Sequence, residues 1–307
     1  MQTYSSLGQT AGALRGCAAC LGNFDGVHLG HQALFARAAT LGPVVAVTFD
    51  PHPGKVLQPD LAPRLIATFD RKLELLEAAG VHGCVVQPFS REFARTSPSA
   101  FEALLFETLG ARAVVVGTDF TYGSARGGTV ETLRLAASTR GAQVAVVAPV
   151  TVEGVVVSSS KVREYVLEGR VEAATRLLGR PFDLDGVVVK GAQRGRTIGF
   201  PTANVDTLNE LRPAAGVYAI TVRLSDGNVF GGACNIGTKP TFGGAEVTIE
   251  CNLFDFAGDL YGQQVRVAFL ERLRAEQRFS GLDALKAQIE RDVVAARAVV
   301  NRARTPS

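Results

Sequence analysis

An α/β domain built on a parallel sheet, followed by an antiparallel β-barrel or sandwich and a C-terminal helix, is the fold the sequence predicts. Three observations predict it. Short apolar strands alternate with helical patterns up to about residue 180. Past Gly179-Arg180-Pro181 the helical patterns give way to alternating strands punctuated by Gly, Pro and Asn, and a last amphipathic stretch runs near Leu282 to Arg302. Alternation of strand and helix implies a parallel sheet covered on both faces, with ligands beyond the C-terminal strand ends. Alternating strands separated by turn residues imply antiparallel pairing. At 307 residues the chain exceeds one average domain, and the change of texture divides it into 1–180 and 181–307.

In the first half the expected strands are Cys17–Leu21, Val44–Phe49, Cys84–Gln87, Ala113–Gly117 and Val144–Ala148, each a short β-branched or apolar run. The helices between them are Gly30–Leu41, Asp70–Ala79, Ala100–Leu109 and Glu131–Thr139. Ser99 with Glu102 three residues on reads as a capping box for the third. Gly80 and Gly110 supply left-handed stops. Two short helical segments, Val162–Leu167 and Val171–Leu178, lead to the boundary; Gly186–Lys190, Gly216–Leu224, Val229–Cys234, Val247–Phe254 and Val265–Phe269 are the strands beyond it.

Composition narrows the function classes. Hydrophobic content of 47% and charged content of 20% describe an ordinary globular protein, and a net charge of +3 without any block of like charges argues for no nucleic-acid partner. Five cysteines, odd in number and mostly in apolar runs, suit a reducing cytoplasm. Cys17-x-x-Cys20 lacks the second pair a structural zinc site needs. No signal peptide is readable, and the apolar stretch Val144 to Val157 is broken by Pro149 and Glu153, so no membrane partner is expected. Oligomeric state is left open.

The most informative string is Gly22-Asn23-Phe24-Asp25-Gly26-Val27-His28-Leu29-Gly30-His31, between the first strand and the first helix. Glycines permit close backbone approach, and a strand-to-helix turn aims free N–H groups at an anion. His28 and His31, three apart, meet on one side of the first helical turn as two donors. The alternatives are a metal site, for which two histidines are too few, and a structural turn. His52 and His82 fall in unrelated loops.

Ser158-Ser159-Ser160-Lys161-Val162-Arg163 is a second phosphate candidate, because hydroxyls before a helix and a guanidinium on its first turn can converge on one anion; a plain serine cap is the alternative. Thr48–Pro53, carrying Pro51 and Pro53, and Gly117–Gly123, carrying Asp119, Phe120 and Tyr122, place prolines and aromatics where a flat ring could stack, or are simple strand-end turns. In Gly195–Asn204, Gly195, Arg196 and Gly199 frame a loop, Pro201 stiffens its exit, and Thr202 and Asn204 present oxygen ligands two apart, as Mg2+ and a triphosphate require; a barrel turn is the alternative. On the strand from Val247 to Leu253, Glu250 shares a face with Thr248 and Asn252, as a general base or on a solvated face.

These strings carry a resemblance. GNFDGVHLGH has the form His-x-Gly-His and resembles the signature of the nucleotidyltransferase superfamily, its bacterial FMN adenylyltransferase branch in particular. Ser159, Ser160 and Arg163 resemble that family's Ser-Ser-Thr-x-x-Arg element, with Ser160 for threonine. GRTIGFPTANV, PAAGVYA at Pro213–Ala219, NIGTKPT at Asn235–Thr241 and Glu250 with Asp255-Phe256 and Asp259–Gly262 recur in riboflavin kinases in this order. Arg274–Phe279 resembles a flavin-covering segment. From Gly16 to Asp292 the chain is therefore similar to the bifunctional riboflavin kinase/FMN adenylyltransferase, or FAD synthetase, family.

The resemblance implies a Rossmann-like nucleotidyltransferase domain followed by a six-stranded flavokinase barrel. Riboflavin, FMN and ATP would be the substrates, with Mg2+ accompanying ATP and FMN and FAD as intermediate and product. Gly22, Phe24, Asp25, Gly26, His28, Gly30 and His31 would hold one triphosphate, and Ser159, Ser160 and Arg163 the departing pyrophosphate. Thr202 and Asn204 would bind Mg-ATP in the other half, where Glu250 activates the ribityl hydroxyl. Pro51, Pro53, Asp119, Phe120, Tyr122, Arg274 and Phe279 would contact flavin. The family usually shows arginine and phenylalanine where Thr121 and Tyr122 stand, and histidine where Asn252 stands. A different acceptor such as phosphopantetheine, or a flavin-storage protein, would need no kinase-like second half.

Overall fold

A computed structural model describes residues 1–10, 12–190, 200–241 and 244–304, which pack as two units. The first comprises Met1–Arg64 and Phe69–Ser158; the second comprises Leu65–Thr68 and the chain from Ser159 on.

The first unit runs β1 (Gln2–Tyr4), β2 (Ala18–Leu21), α1 (Leu29–Ala39), β3 (Val44–Asp50), α2 (Pro53–Leu57), α3 (Phe69–Ala78), β4 (Gly83–Pro88), α4 (Pro98–Ala103), β5 (Ala113–Gly117), α5 (Val130–Ser138) and β6 (Gln143–Val147), then a small hairpin of β7 (Thr151–Val152) and β8 (Val155–Val156). The sheet order is β1-β4-β3-β2-β5-β6, every pair parallel. The chain moves outward from β2 through β3 to β4, then returns to the other side of β2 as β5. The C-terminal end of β2 is therefore the topological switch point, where open α/β sheets leave a crevice for ligands. Ala18, Ala19, Cys20 and Leu21 are all buried, as a strand covered on both faces requires.

The third predicted helix starts earlier and ends differently than expected. Ser97, not Ser99, is the N-cap: its hydroxyl accepts from the Ala100 N–H at 3.2 Å, and Pro98 occupies the first helical position. Proline already lacks an N–H and has a helical φ, so the pair Ser97-Pro98 outcompetes Ser99. Glu102 is drawn away from the cap and accepts from the Tyr122 hydroxyl at 2.6 Å. α4 passes into one π turn at Leu104–Thr108. Gly80 and Gly110 do adopt left-handed backbone, at φ 81° and 70°.

The second unit contains α6 (Ser159–Leu167), α7 (Val171–Leu178), β9 (Phe182–Val189), β10 (Ala203–Asp206), β11 (Gly216–Leu224), β12 (Val229–Thr241), β13 (Gly244–Leu253), β14 (Gln264–Arg274) and α8 (Leu282–Arg304). Six strands close an antiparallel barrel in the order β10-β13-β12-β11-β14-β9. Closure removes every sheet edge, which settles the choice between barrel and sandwich. α7 buries Val171, Ala174, Leu177 and Leu178 and packs on β9 and β14. α8 lies on the outer wall, burying Ala296, Val299 and Val300 against β11, β12 and β14. Gly231 lets it come close: a Cβ there would stand 2.6 Å from Val300.

Candidate active sites

At the end of β2 the backbone turns through Phe24 (φ 51°), Gly26 (φ 79°) and Val27 (φ 42°) before α1 begins. Left-handed backbone is costly for a β-branched residue, and its persistence in a buried valine marks a turn held by its surroundings. His28 is the N-cap of α1; its Nδ1 accepts from the His31 N–H at 3.3 Å. In the neutral ring the proton therefore sits on Nε2. The two imidazoles stack with centroids 3.6 Å apart and planes 16° apart, and Phe24 meets His31 edge-on at 5.2 Å. Gly30 makes room for this stack, since a Cβ there would lie 3.1 Å from the His28 ring. Gly22 does the same for Phe24, also at 3.1 Å.

Burial, and after it the neighbouring His28, push the His31 pKa well below the ordinary imidazole value. His31 is neutral at pH 7, with one N–H to give and a buried Nδ1 that has no partner among the described residues. An orphaned polar atom beside a strained turn at a switch point fits a site that a polar ligand completes.

The turn is braced by residues the motif does not contain. His52 was expected in an unrelated loop; instead its ring caps α2 at the Gly54 N–H (3.1 Å) and lies 3.2 Å from the Asn23 carboxamide. β3 is the parallel neighbour of β2, so residues twenty-nine apart in sequence share one sheet end. Pro51 and Pro53 sit there too, Pro53 in the first turn of α2. Asp119 is exposed and Phe120 half-buried after β5. Tyr122 departs from the expectation of an aromatic ring at the ligand edge. It is 6% exposed, its hydroxyl is engaged by Glu102 and Thr132, and its ring lies against Phe101 and Gly128. Burial first, and the Glu102 hydrogen bond after it, raise its pKa to about 12. Its ring belongs to the core rather than to a flavin-stacking edge.

In the second unit, Ser159, Ser160 and Arg163 lie on the first turns of α6, and the spacings of four and three residues bring both serines to the arginine's side. On the barrel, Gly195, Arg196 and Gly199 lie outside the described residues. Glu250 stands opposite Asn204 across the β10–β13 pair and opposite Asn235 across the β12–β13 pair. Directly opposed residues share a face, so three polar side chains form one row on the wall. Ile249 and Cys251 point to the buried side.

Glu250, Asn235 and Thr202 line a cavity of about 310 Å3 that Arg274, Phe279 and Ile289 also border. Thr202 also lines a second cavity, of about 510 Å3, with Pro201, Leu253, Phe256 and Tyr261. One hydroxyl thus stands on the wall shared by a space holding a carboxylate and a space walled by aromatics. Asn252, whose role the sequence left unassigned, donates to the Pro201 carbonyl at 2.7 Å and ties the Pro201-Thr202 segment to β13. Arg274 lies 5.8 Å from the Phe279 ring, and its guanidinium is committed to Asp292 on α8, with N–O distances of 2.8 and 3.0 Å. No group of three or more His, Cys, Asp or Glu side chains among the described residues is arranged to hold a metal ion.

Comparison with known proteins agrees with this layout. Residues 11–161 match the family described as FAD synthetase, and residues 178–300 the family described as riboflavin kinase. The bifunctional riboflavin kinase/FMN adenylyltransferase of Haemophilus influenzae is 37% identical, covering 98% of this chain and 100% of its own. The proteins of the same description from Escherichia coli and Bacillus subtilis are 38% and 40% identical, over 92% and 89% of each chain. A crystal structure titled a macrolide-efflux protein from Streptococcus pneumoniae superposes with a TM-score of 0.90 at 34% identity, covering 97% of this chain and 99% of that one. No described helix of the chain is long and apolar enough to cross a membrane. With both catalytic modules present in the same order and over nearly the same length as in these relatives, the chain belongs to the bifunctional riboflavin kinase/FMN adenylyltransferase family, phosphorylating riboflavin with its C-terminal half and adenylylating FMN with its N-terminal half.

Proposed function

We propose that each half grips its own ATP, through the histidine-bearing turn in residues 1–180 and through Thr202 and Asn204 in residues 181–307. In the first half the FMN phosphate attacks the α-phosphorus of ATP, forming FAD and releasing pyrophosphate. The attacking oxygen is already anionic, so no protein base is needed; alignment and charge stabilisation are the whole task. His28 and His31, with Gly22, Phe24, Asp25, Gly26 and Gly30, hold the triphosphate, and Ser159, Ser160 and Arg163 bind the departing pyrophosphate. The observation that carries this assignment is the orphaned Nδ1 of His31 within a stacked pair of imidazoles at the switch point. Pro51, Pro53, Asp119 and Phe120 border the flavin.

In the second half riboflavin's 5′-hydroxyl is the nucleophile, and near pH 7 a hydroxyl needs a base. Glu250 takes that proton, with riboflavin in the smaller cavity under Arg274 and Phe279 and the nucleotide in the larger one. A hydroxyl and a carboxamide are hard oxygen donors, the set Mg2+ accepts alongside phosphate oxygens and water. Thr202 and Asn204 would hold Mg2+ brought in with ATP, and the ion would supply charge neutralisation for the transferring phosphate. Five free, buried cysteines support a reducing, cytoplasmic setting.

The test is FAD formation from added FMN and ATP. His31→Ala is expected to lower it by roughly 10²–10³, the loss typical of one well-placed donor to a developing charge. Riboflavin phosphorylation by the same preparation should stay within about twofold of wild type, because substitutions at distant, independent sites act separately. Chelation of Mg2+ should stop both reactions. Near-normal turnover of FMN in His31→Ala would overturn the assignment.

A further inference from the structure

Lys72 lies outside every motif described above, on the first turn of α3, yet its side chain reaches under the histidine-bearing turn. Its ammonium donates to the Thr48 hydroxyl at 3.3 Å, and that hydroxyl donates to the Asn23 carbonyl at 3.0 Å. Thr48 is fully buried on β3, so its hydroxyl has no water to turn toward. A cation at the head of such a relay polarises the hydroxyl and strengthens the second bond. Burial lowers the Lys72 pKa, an effect opposed by the neighbouring Cys84, Asp25 and Asp50. The Phe69 ring lies 5.2 Å from its nitrogen. A lysine half-withdrawn from water in this way must return something to the fold or to the reaction.

The peptide between Asn23 and Phe24 shows what is returned. In a trans peptide the carbonyl and the N–H point opposite ways. Drawing the Asn23 carbonyl down to Thr48 therefore turns the Phe24 N–H away from the sheet, immediately before the left-handed backbone at Phe24. Among the described residues none accepts a hydrogen bond from that N–H. Asn23 is held from its other end as well, by His52 at 3.2 Å. We propose that Lys72 is a positioning residue for adenylyl transfer, acting through Thr48 to aim the Asn23–Phe24 peptide at the triphosphate. The proposal rests on the reading of this turn as the adenylylation ATP site.

The experiment compares Lys72→Met, Thr48→Val, the double variant and His31→Ala in the full chain, varying ATP and FMN separately. Lys72→Met should raise KM for ATP by about ten- to a hundredfold, the scale of a hydrogen bond to a charged group, with KM for FMN within about twofold. Thr48→Val should move KM for ATP the same way, and the double variant should be no worse than Lys72→Met, because both cut one relay. A loss of folded protein alone lowers the maximal rate and leaves both KM values. If Lys72→Met fails to fold, the nearly isosteric Thr48→Val decides. Unchanged KM for ATP in Lys72→Met and Thr48→Val, with FAD formation lost in His31→Ala, sinks the role of Lys72 alone. Retained activity in His31→Ala sinks the site reading beneath it. Additive effects of the two substitutions would also overturn the relay.

Discussion

His31 stays neutral because it is buried against a second imidazole, and that sets both its chemistry and its cost. A neutral ring donates one hydrogen bond without bringing a full charge, so it favours a phosphate oxygen by direction rather than by net attraction. The same suppression makes stability depend on pH. Below about 6.5 the unfolded imidazole takes up a proton that the folded one refuses, so stability falls as pH falls through and below that value. The slope approaches about 1.4 kcal/mol per pH unit for one proton. The urea midpoint of the full chain should therefore drop between pH 7 and pH 5.5 by more in wild type than in His31→Gln; equal drops would contradict a suppressed His31. Much of this neighbourhood was readable in advance, since His28, His31 and the glycines stand together in one decapeptide. Asn23–His52 and Lys72–Thr48 were not readable, because only the sheet brings those partners together across twenty-nine and twenty-four positions. Tyr122 misled for the same reason: nothing local says that Gly128 opens a slot for its ring.

The elements followed their hydrophobic runs closely, because apolar content in short strands and spaced glycines are local signals. β11 and β5 fall on their expected spans, Gly216–Leu224 and Ala113–Gly117. β10 escaped notice because it is only four residues long and follows a proline-threonine turn. α4 shows where local signals compete. Two serines flank Pro98, and the one whose successor is proline captures the cap. Ser97→Ala should cost about 1 kcal/mol of stability, whereas Ser99→Ala should change it by less than about 0.5 kcal/mol. Chemical denaturation of the two variants checks this, and equal losses would show that the cap is shared. On the barrel, Asn252 does for the Pro201-Thr202 segment what His52 does for the Asn23 turn: each ties a loop of the candidate site to a neighbouring element, Asn252 from β13 and His52 from the start of α2.

Across the whole molecule, the two chemistries differ in what they ask of the protein. Adenylyl transfer starts from a phosphate that is already charged, and its half offers donors, a helix start and a strained turn. Riboflavin phosphorylation starts from a hydroxyl, and its half sets a carboxylate in a row of polar residues on a barrel wall. By packing, the chain divides after Ser158, with α6 and α7 grouped with the barrel, whereas the change in sequence texture falls near residue 180. Helices joined to a sheet by packing need not share its sequence texture, so that grouping was invisible in the pattern. If the sites are separate, their activities must be separable. Mixing His31→Ala with Glu250→Gln should restore FAD synthesis from riboflavin, because FMN made by one is a substrate for the other. The most direct test is Glu250→Gln alone, assayed for both reactions in one preparation. Riboflavin phosphorylation should fall by about 10²–10⁴, the range for losing a general base, while adenylylation of added FMN proceeds at the wild-type rate. Loss of both activities together, or retention of both, would contradict the account.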